Sequence, residues 1–372
     1  MKLKIALLAG DGIGPEVIAQ AVACLQAVED AFGHQFIFAE APVGATAMDQ
    51  GGNPLPEDTL DLCKRSDAVL FGAIGDPKYD NNPEAKVRPE QGLLRLRKEL
   101  ELFSNIRPVQ VFPTLIKNSP LREEIISGTD FVIFRELTGG IYFGEKKRSD
   151  DGKTASDLCI YSEEEISRIA HLAFKAAKSR RNKLTLVDKA NVLESSRLWR
   201  SVVTKISKSY PQVALNYLFV DNAAMQLILN PSQFDVILTE NMFGDILSDE
   251  GSVIGGSIGL LPSASVGEKY AMFEPIHGSF PEGAGKNIAN PIAAILSVAM
   301  LLDHFGLKEE THAVIKAVNR SLKDGIVTPD LKAKSTYGTD DVGHFIASQI
   351  TDAEDYRRLN KENIGLGKST II

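Results

Sequence analysis

Apolar residues along this chain follow two spacings that alternate. KIALLA (4–9), DAVLFGAIG (67–75), DFVIFREL (130–137), KLTLVDKA (183–190) and FDVILTE (234–240) are short apolar runs that end in glycine or polar residues. Runs of this kind read as strands buried on both faces. Between them the apolar positions return every three or four residues. Val17, Ile18, Ala21, Val22 and Leu25 do so after Pro15, a residue suited to the first turn of a helix. The stretches 91–103, 162–179, 192–209 and 221–229 behave alike. The alternation predicts an α/β fold with its chemistry at the strand ends. One stretch departs from it: 139–162 holds two strand-like runs around a charged DDG turn, which predicts a protruding hairpin.

At 372 residues the chain is too long for one compact core, so two domains are expected. A composition 44% hydrophobic and 24% charged argues against disorder. The charge, 41 − 49 = −8, supplies no basic field for nucleic acid. The densest basic run, KSRRNK (178–183), reads as a solvated helix end. Cys24, Cys63 and Cys159 are scattered with no CxxC, so neither a disulfide framework nor a zinc site is implied, and a reducing cytosol fits. MKLKIALLAG enters a strand-like run with no cleavable signal pattern. The longest apolar run, 292–302 interrupted by Ser297, is too short to span a bilayer. A cytoplasmic protein without a membrane partner is expected.

GDGIGPE (10–16) follows a strand and opens a helix, as a dinucleotide fingerprint does, but Pro15 stands where the third glycine belongs. Glu40, a candidate ribose-binding acid, lies further along than the usual spacing. A conventional Rossmann fold is therefore not expected. A glycine-rich turn that brings backbone close to a ligand is.

Charge gathers at several apolar runs. Arg97 and Arg107 flank a helical stretch and Arg135 ends a strand-like one. Each alone reads as a surface ion pair; together they fit a site for a multiply charged anion. Lys189 closes LTLVDKA, and a lysine in a partly desolvated site can serve as a base. Asp221 follows LNYLFV, where a helix N-cap is the plain alternative. Asp245 and Asp249 stand four apart in ENMFGDILSDE, stacked on one helix face if a helix forms. Their partner is a metal ion, an arginine or water; a few hard oxygen ligands would suit Mg²⁺ or Mn²⁺. EPIHGSFPEGAGKNIANP (274–291), with three glycines, three prolines and two asparagines, is a long loop of the kind that is commonly functional. His277 within it reads better as a ligand contact than as a core histidine.

The ordered blocks GDGIGPEV, GLLRLRKELELFSNIRP, RELTGGIYFGE, DKANVLESSRLWR, NYLFVDNAAMQLI, NMFGDILSDEGSVIGGSIGLLPSAS and EPIHGSFPEGAGKNIANP run through nearly the whole chain. They resemble the β-decarboxylating dehydrogenases of the isocitrate/isopropylmalate family. The resemblance implies two α/β domains on a continuous mixed sheet. One is cofactor-binding and built from both chain ends (1–102 and 256–372). The other (103–255) holds substrate and metal and forms a homodimer through the region of the 139–162 hairpin.

The implied reaction is oxidative decarboxylation of 3-isopropylmalate to 4-methyl-2-oxopentanoate in leucine biosynthesis, with NAD⁺ reduced and Mg²⁺ or Mn²⁺ bound. By resemblance Arg97, Arg107 and Arg135 hold the malate carboxylates. Asp245 and Asp249 bind the metal with Asp221 of the other subunit, so active sites are shared. Lys189 and Asp221 take the hydroxyl proton, and Tyr142 protonates the enol. Leu93 and Leu94 offer an apolar wall to the isopropyl group, where isocitrate enzymes place a small polar residue. Ile13, Gly75, Glu90, His277, Gly278, Ser279, Glu282, Ala289 and Asn290 match cofactor contacts.

One departure stands out: the family's usual PDIAGK is PEGAGK here, with Glu282 and Gly283. The longer acid alters the grip on the ribose hydroxyls but keeps the charge that repels a 2′-phosphate. D-Malate or tartrate enzymes are the nearest alternative within the family, and homoisocitrate enzymes follow. A metal-dependent phosphohydrolase would use the aspartates and arginines, but has no need of Lys189 with Tyr142. A catalytically silent binding homologue would not retain every position.

Overall fold

The computed structural model describes residues 1–80 and 87–350; the far end of the expected cofactor domain, 351–372, lies outside them. The strands are β1 (Lys2–Gly10), β2 (Gln35–Glu40), β3 (Ala68–Ala73), β4 (Ser104–Gln110), β5 (Asp130–Glu136), β6 (Lys146–Arg148), β7 (Ala155–Asp157), β8 (Lys183–Asp188), β9 (Ala214–Phe219), β10 (Val236–Thr239), β11 (Pro262–Val266) and β12 (Ala271–Pro275). All but β6 and β7 belong to one large mixed sheet, so the α/β class holds.

The chain divides into two compact units. Among the described residues, the first takes Met1–Leu100, Ser257–Ala264 and 268–350; the second takes Glu101–Gly256 and Ser265–Gly267.

In the first unit the strands run β2-β1-β3-β12, all parallel. β3 and β12 are buried along their whole length, which explains why β3 reads as an unbroken apolar run. The helix Gly14–Phe32 starts with proline in its first turn. It ends at Gly33, whose φ of 71° suits a residue without a Cβ. Val17, Ile18, Ala21, Leu25 and Val28 form its buried face. The 292–302 run is part of a helix, Ile292–His304, sheathed on nearly every side by protein. No helix among the described residues is long and apolar enough to cross a membrane.

In the second unit the order is β4-β5-β10-β8-β9, with β4 antiparallel to β5 and the others parallel. Its core gathers Phe131, Ile133, Val187, Leu227, Phe234, Ile237, Leu247 and Ile254. Within 139–162, β6 and β7 pair antiparallel around a turn at Gly152, three exposed residues on each side.

Three sequence expectations need correction. The helix expected over 91–103 is Pro89–Glu99, because Glu101 takes a φ of 52° that no helix accommodates. Arg97 therefore lies in the helix's last turn rather than flanking it. Lys189 lies one residue past the end of β8. KSRRNK is not simply a solvated helix end. The Arg180 side chain is 4% exposed and pairs with Asp130 at 2.7 Å and Asp235 at 2.9 Å. Two aspartates distant in sequence repay its desolvation.

Candidate active site

The polar centre of the second unit follows from two periodicities. On β4, Asn105 and Arg107 are two apart and share a face, and Arg135 on β5 lies directly opposite Asn105. Above them runs the helix Asn241–Ile254. Its Asn241, Asp245, Ser248 and Asp249 fall at i, i+4, i+7 and i+8, a single face. Leu247 and Ile254 look the other way, into the core.

The two faces interlock. Arg135 donates through Nε and Nη2 to Asn241 Oδ1 at 3.1 and 2.8 Å, and through Nη1 to Asp245 Oδ1. Arg107 donates through Nη1 to Ser248 Oγ at 2.6 Å and to Asp249 Oδ1 at 3.0 Å. Its Nη2 lies 3.9 Å from Asp245 Oδ1, and Asn105 accepts its Nε–H at 2.7 Å. Gly244 makes the close approach possible: a Cβ there would stand 2.6 Å from Arg135 Cγ. Both guanidiniums are buried, while the Asp249 side chain is 65% exposed. The carboxylates thus keep an open side.

Tyr142 completes this cluster. Its hydroxyl donates to Asp245 Oδ2 at 2.8 Å, with the Arg135 guanidinium over its ring. Partial burial, then the bond to Asp245, raises the phenol above its ordinary range, so Tyr142 keeps its proton at neutral pH.

Lys189 and Asp221 form a second pair in this unit. Lys189 Nζ donates to Asp221 Oδ1 at 2.6 Å, and that bond holds the exposed Asp221 carboxyl below its usual range. Asp221 sits in the first turn of the helix Val220–Leu229, whose N-cap is Phe219. The capping alternative fails, although an acid there still suits the helix dipole. The Lys189 amide donates to Ser196 Oγ at 3.1 Å, and Ser196 donates in turn to the buried Glu240. Asp221 is not brought to Asp245 and Asp249 within the chain: no group of three metal-ligating side chains occurs among the described residues.

In the first unit the glycine-rich turn packs first on protein. Missing Cβ atoms at Gly10 and Gly12 would lie 1.9 Å from Ala73 O and 2.0 Å from Ser279 O. The Ile13 amide donates to Ser279 O at 2.8 Å. Asp11, buried, accepts the amides of Ala45, Thr46 and Gly75, each at 2.9 Å, so one carboxylate ties three segments together. Gly75 has a φ of 115°, with Glu90 and Ser279 beside it. Ile13, Gly75, Glu90 and Ser279 therefore meet at one place.

His277 is neither a simple core residue nor a free one. Nδ1 contacts Gly278 O at 3.0 Å, Nε2 is sealed from solvent without a partner, and burial lowers the ring's pKa. Gly278 and Glu282 are exposed. Ala289 and Asn290 are buried, and the Asn290 side chain is taken up by Asp330 and the Ile292 amide. Phe280 holds a φ of 38°, unusual for a bulky residue. Its ring leaves room only for glycine at 283, where a Cβ would stand 2.3 Å from Phe280 Cε1.

Arg97 belongs to the first unit, where it pairs with Glu274 at 2.9 Å while its Nε is buried without a partner. Leu93 and Leu94, on the same helix, are partly exposed, Leu94 at 38%.

Sequence reasoning missed Asn105, Asn241, Ser248, Asp11 and Glu274. The i, i+4, i+7, i+8 pattern would have found Asn241 and Ser248. The others carry no local signal.

A mixed α/β sheet carrying buried arginines that face the aspartates of the Asn241–Ile254 helix is the frame of this site. The chain belongs to the isocitrate/isopropylmalate dehydrogenase family, whose model matches residues 4–346, and is an oxidoreductase. It is 55% identical over 355 residues to the 3-isopropylmalate dehydrogenase of Bacteroides fragilis, covering 95% of this chain and 100% of that protein. The Bacillus subtilis 3-isopropylmalate dehydrogenase is 51% identical over 362 residues, covering 94% and 99%. Among solved structures, isocitrate dehydrogenase from Methylococcus capsulatus superimposes with a TM-score of 0.84 at 33% identity, covering 94% of this chain and 99% of the other. A β-decarboxylating dehydrogenase from Thermococcus kodakarensis, in apo form, does so with a TM-score of 0.79 at 37% identity, covering 96% and 98%.

Proposed function

We propose that this enzyme oxidises and decarboxylates 3-isopropylmalate to 4-methyl-2-oxopentanoate with NAD⁺ and a divalent cation, Mg²⁺ or Mn²⁺, in leucine biosynthesis. The observation that carries the reading is the convergence of Asp245 and Asp249 on Arg107, beside Arg135 and Tyr142. It is supported by relatives of that name at 50–55% identity over nearly the full chain.

The residues present fit both cofactors. Asp245 and Asp249 reach a common point, and their hard oxygens suit Mg²⁺ or Mn²⁺, which keeps sites open for water and substrate. The sealed Nε2 of His277 and the meeting of Ile13, Gly75, Glu90 and Ser279 fit NAD⁺ against the first unit. Gly278, Glu282, Ala289 and Asn290 extend that surface. Bound, NAD⁺ accepts the hydride and the cation offsets negative charge on the substrate oxygens.

The chain's own groups do the rest. Arg97, Arg107 and Arg135 orient the malate carboxylates, as planar forks do. Lys189 with Asp221 removes the hydroxyl proton. Tyr142, protonated at neutral pH, returns a proton to carbon after CO₂ leaves. Leu93 and Leu94 bury the isopropyl group. The first unit corresponds to the cofactor domain. The second corresponds to the substrate and dimer domain, where Lys189 and Asp221 serve the partner's pocket in a cytoplasmic homodimer.

The test is formation of NADH and CO₂ by the purified protein with 3-isopropylmalate, NAD⁺ and Mg²⁺ or Mn²⁺, lost on chelation. An isopropyl group buried against two leucines is worth about 1–3 kcal/mol, or roughly 10–200-fold in kcat/KM over D-malate. Equal or better turnover of D-malate would transfer the assignment to that substrate.

A further inference from the structure

Glu240 is a buried acid that the reaction above does not use. It is the residue just before the Asn241–Ile254 helix, and it is 3% exposed. Among the described residues no ion pair reaches it. The hydroxyl of Ser196, wholly buried, donates to its Oε1. Ser196 Oγ also accepts the Lys189 backbone N–H at 3.1 Å. Beyond that amide, Lys189 extends to Asp221. The other ionisable groups that bear on Glu240 are acidic. Asp188 lies near enough to act on it, and its own charge is met by two 2.8 Å bonds from Arg200. Cys159 and Tyr161 sense Glu240 in turn.

A buried carboxylate with no counter-ion is costly, and a glutamine would fill the same volume and accept the same bond without the charge. The charge therefore calls for a use. We propose that Glu240 is a positioning residue: its carboxylate fixes the Ser196 hydroxyl, which holds the Lys189 backbone and so aims Nζ. This rests on the role given to Lys189 above.

Burial, with a smaller push from Asp188 and against the pull of the Ser196 bond, raises the Glu240 carboxyl to about 7. A hydrogen bond to a carboxylate is roughly twice as strong as one between neutral groups. Protonation near neutrality weakens the link and frees the serine hydroxyl to turn. Lys189 is held best above that point.

The experiment follows the Lys189 backbone amide by ¹⁵N–¹H NMR on the full-length protein from about pH 6 to about pH 8.5, in wild type, Glu240→Gln and Ser196→Ala. In the wild type the amide shift titrates with a midpoint near 7. In both variants the titration disappears. Steady-state kinetics accompany it: Glu240→Gln and Ser196→Ala each lower kcat about tenfold with little change in KM, and lose the kcat rise through neutrality, a tenfold loss being a modest one for a positioning defect. A wild-type amide that does not move, a titration that survives Glu240→Gln, or a Ser196→Ala enzyme with wild-type kcat and pH profile each overturns the proposal. Should Glu240→Gln fail to fold, the wild type and Ser196→Ala decide. Should the protein not turn over 3-isopropylmalate, the substrate reading falls, and the NMR titration still decides the link.

Discussion

Asp245 holds two partners at once: Tyr142 donates to its Oδ2 at 2.8 Å while Arg135 donates to its Oδ1. The proton donor of the proposed late step is thereby fixed to a side chain that also anchors the substrate-binding arginine. Tyr142→Phe removes the donor and leaves the ring and Arg135 in place. Loss of a general acid costs about 10²–10⁴-fold. Single-turnover NADH formation should be slowed less than CO₂ release or product protonation, so that oxidised intermediate escapes. Equal slowing of every step would count against the role.

Gly244→Ala should be damaging well beyond its size. The new methyl meets Arg135 Cγ and Cβ at 2.6 and 2.7 Å, and both residues sit on regular elements that cannot yield easily. Overpacking of this kind costs about 1–3 kcal/mol, read as a lower urea midpoint, with kcat/KM falling as Arg135 shifts. Gly278→Ala is the control, since nothing lies within 4 Å of its added methyl, and its midpoint should not move.

Glu240 also gives a pH dependence of stability with a definite sign. Its folded pKa, about 7, exceeds the unfolded value of about 4.3. Between these values the folded protein keeps a proton that the unfolded chain has lost. The wild type should therefore lose stability relative to Glu240→Gln as pH rises through that window, by at most about 3–4 kcal/mol. Urea unfolding of both proteins at about pH 5 and about pH 8 measures the difference. A difference that stays constant with pH would contradict the assignment.

Glu282 should make the enzyme select NAD⁺ over NADP⁺ by at least roughly tenfold in kcat/KM, because a 2′-phosphate beside it meets like charge. Glu282→Gln should narrow the ratio. Comparable use of both cofactors by the wild type would refute the reading.

If active sites are shared, Arg97→Gln and Lys189→Met proteins, each inactive, should complement when unfolded and refolded together. In the mixed dimer one pocket collects both lesions and the other neither, so about a quarter of wild-type activity returns. Confirmed heterodimers without activity would mean that both residues serve the same pocket.

The strands β1, β3, β5, β8 and β10 and the helices Gly14–Phe32, Pro89–Glu99, Glu163–Ser179, Glu194–Ser207 and Val220–Leu229 were legible, because strands buried on both faces and amphipathic helices leave distinct periods in the sequence. Asp245 and Asp249 were legible for the same reason, their spacing placing them on one helical face. Arg180 was not. A basic run carries no mark of the two aspartates, 50 and 55 residues away in sequence, that draw it inside. Nor was Glu240, a polar residue at a strand end like several others, whose burial depends on the Ser196 hydroxyl 44 residues earlier. Nor was Asp11, whose three amide partners come from segments that only the folded chain assembles.

The packing of Phe280 over Gly283 also constrains the order in which this loop can change. An isoleucine at 283 overlaps the phenyl ring while the ring remains where it is. A path of single replacements toward that form must first shrink or displace Phe280, and a path away from it must first empty position 283. The two positions are sterically coupled. A side chain introduced at 283 requires a matching change at 280, so the pair varies together rather than one position at a time.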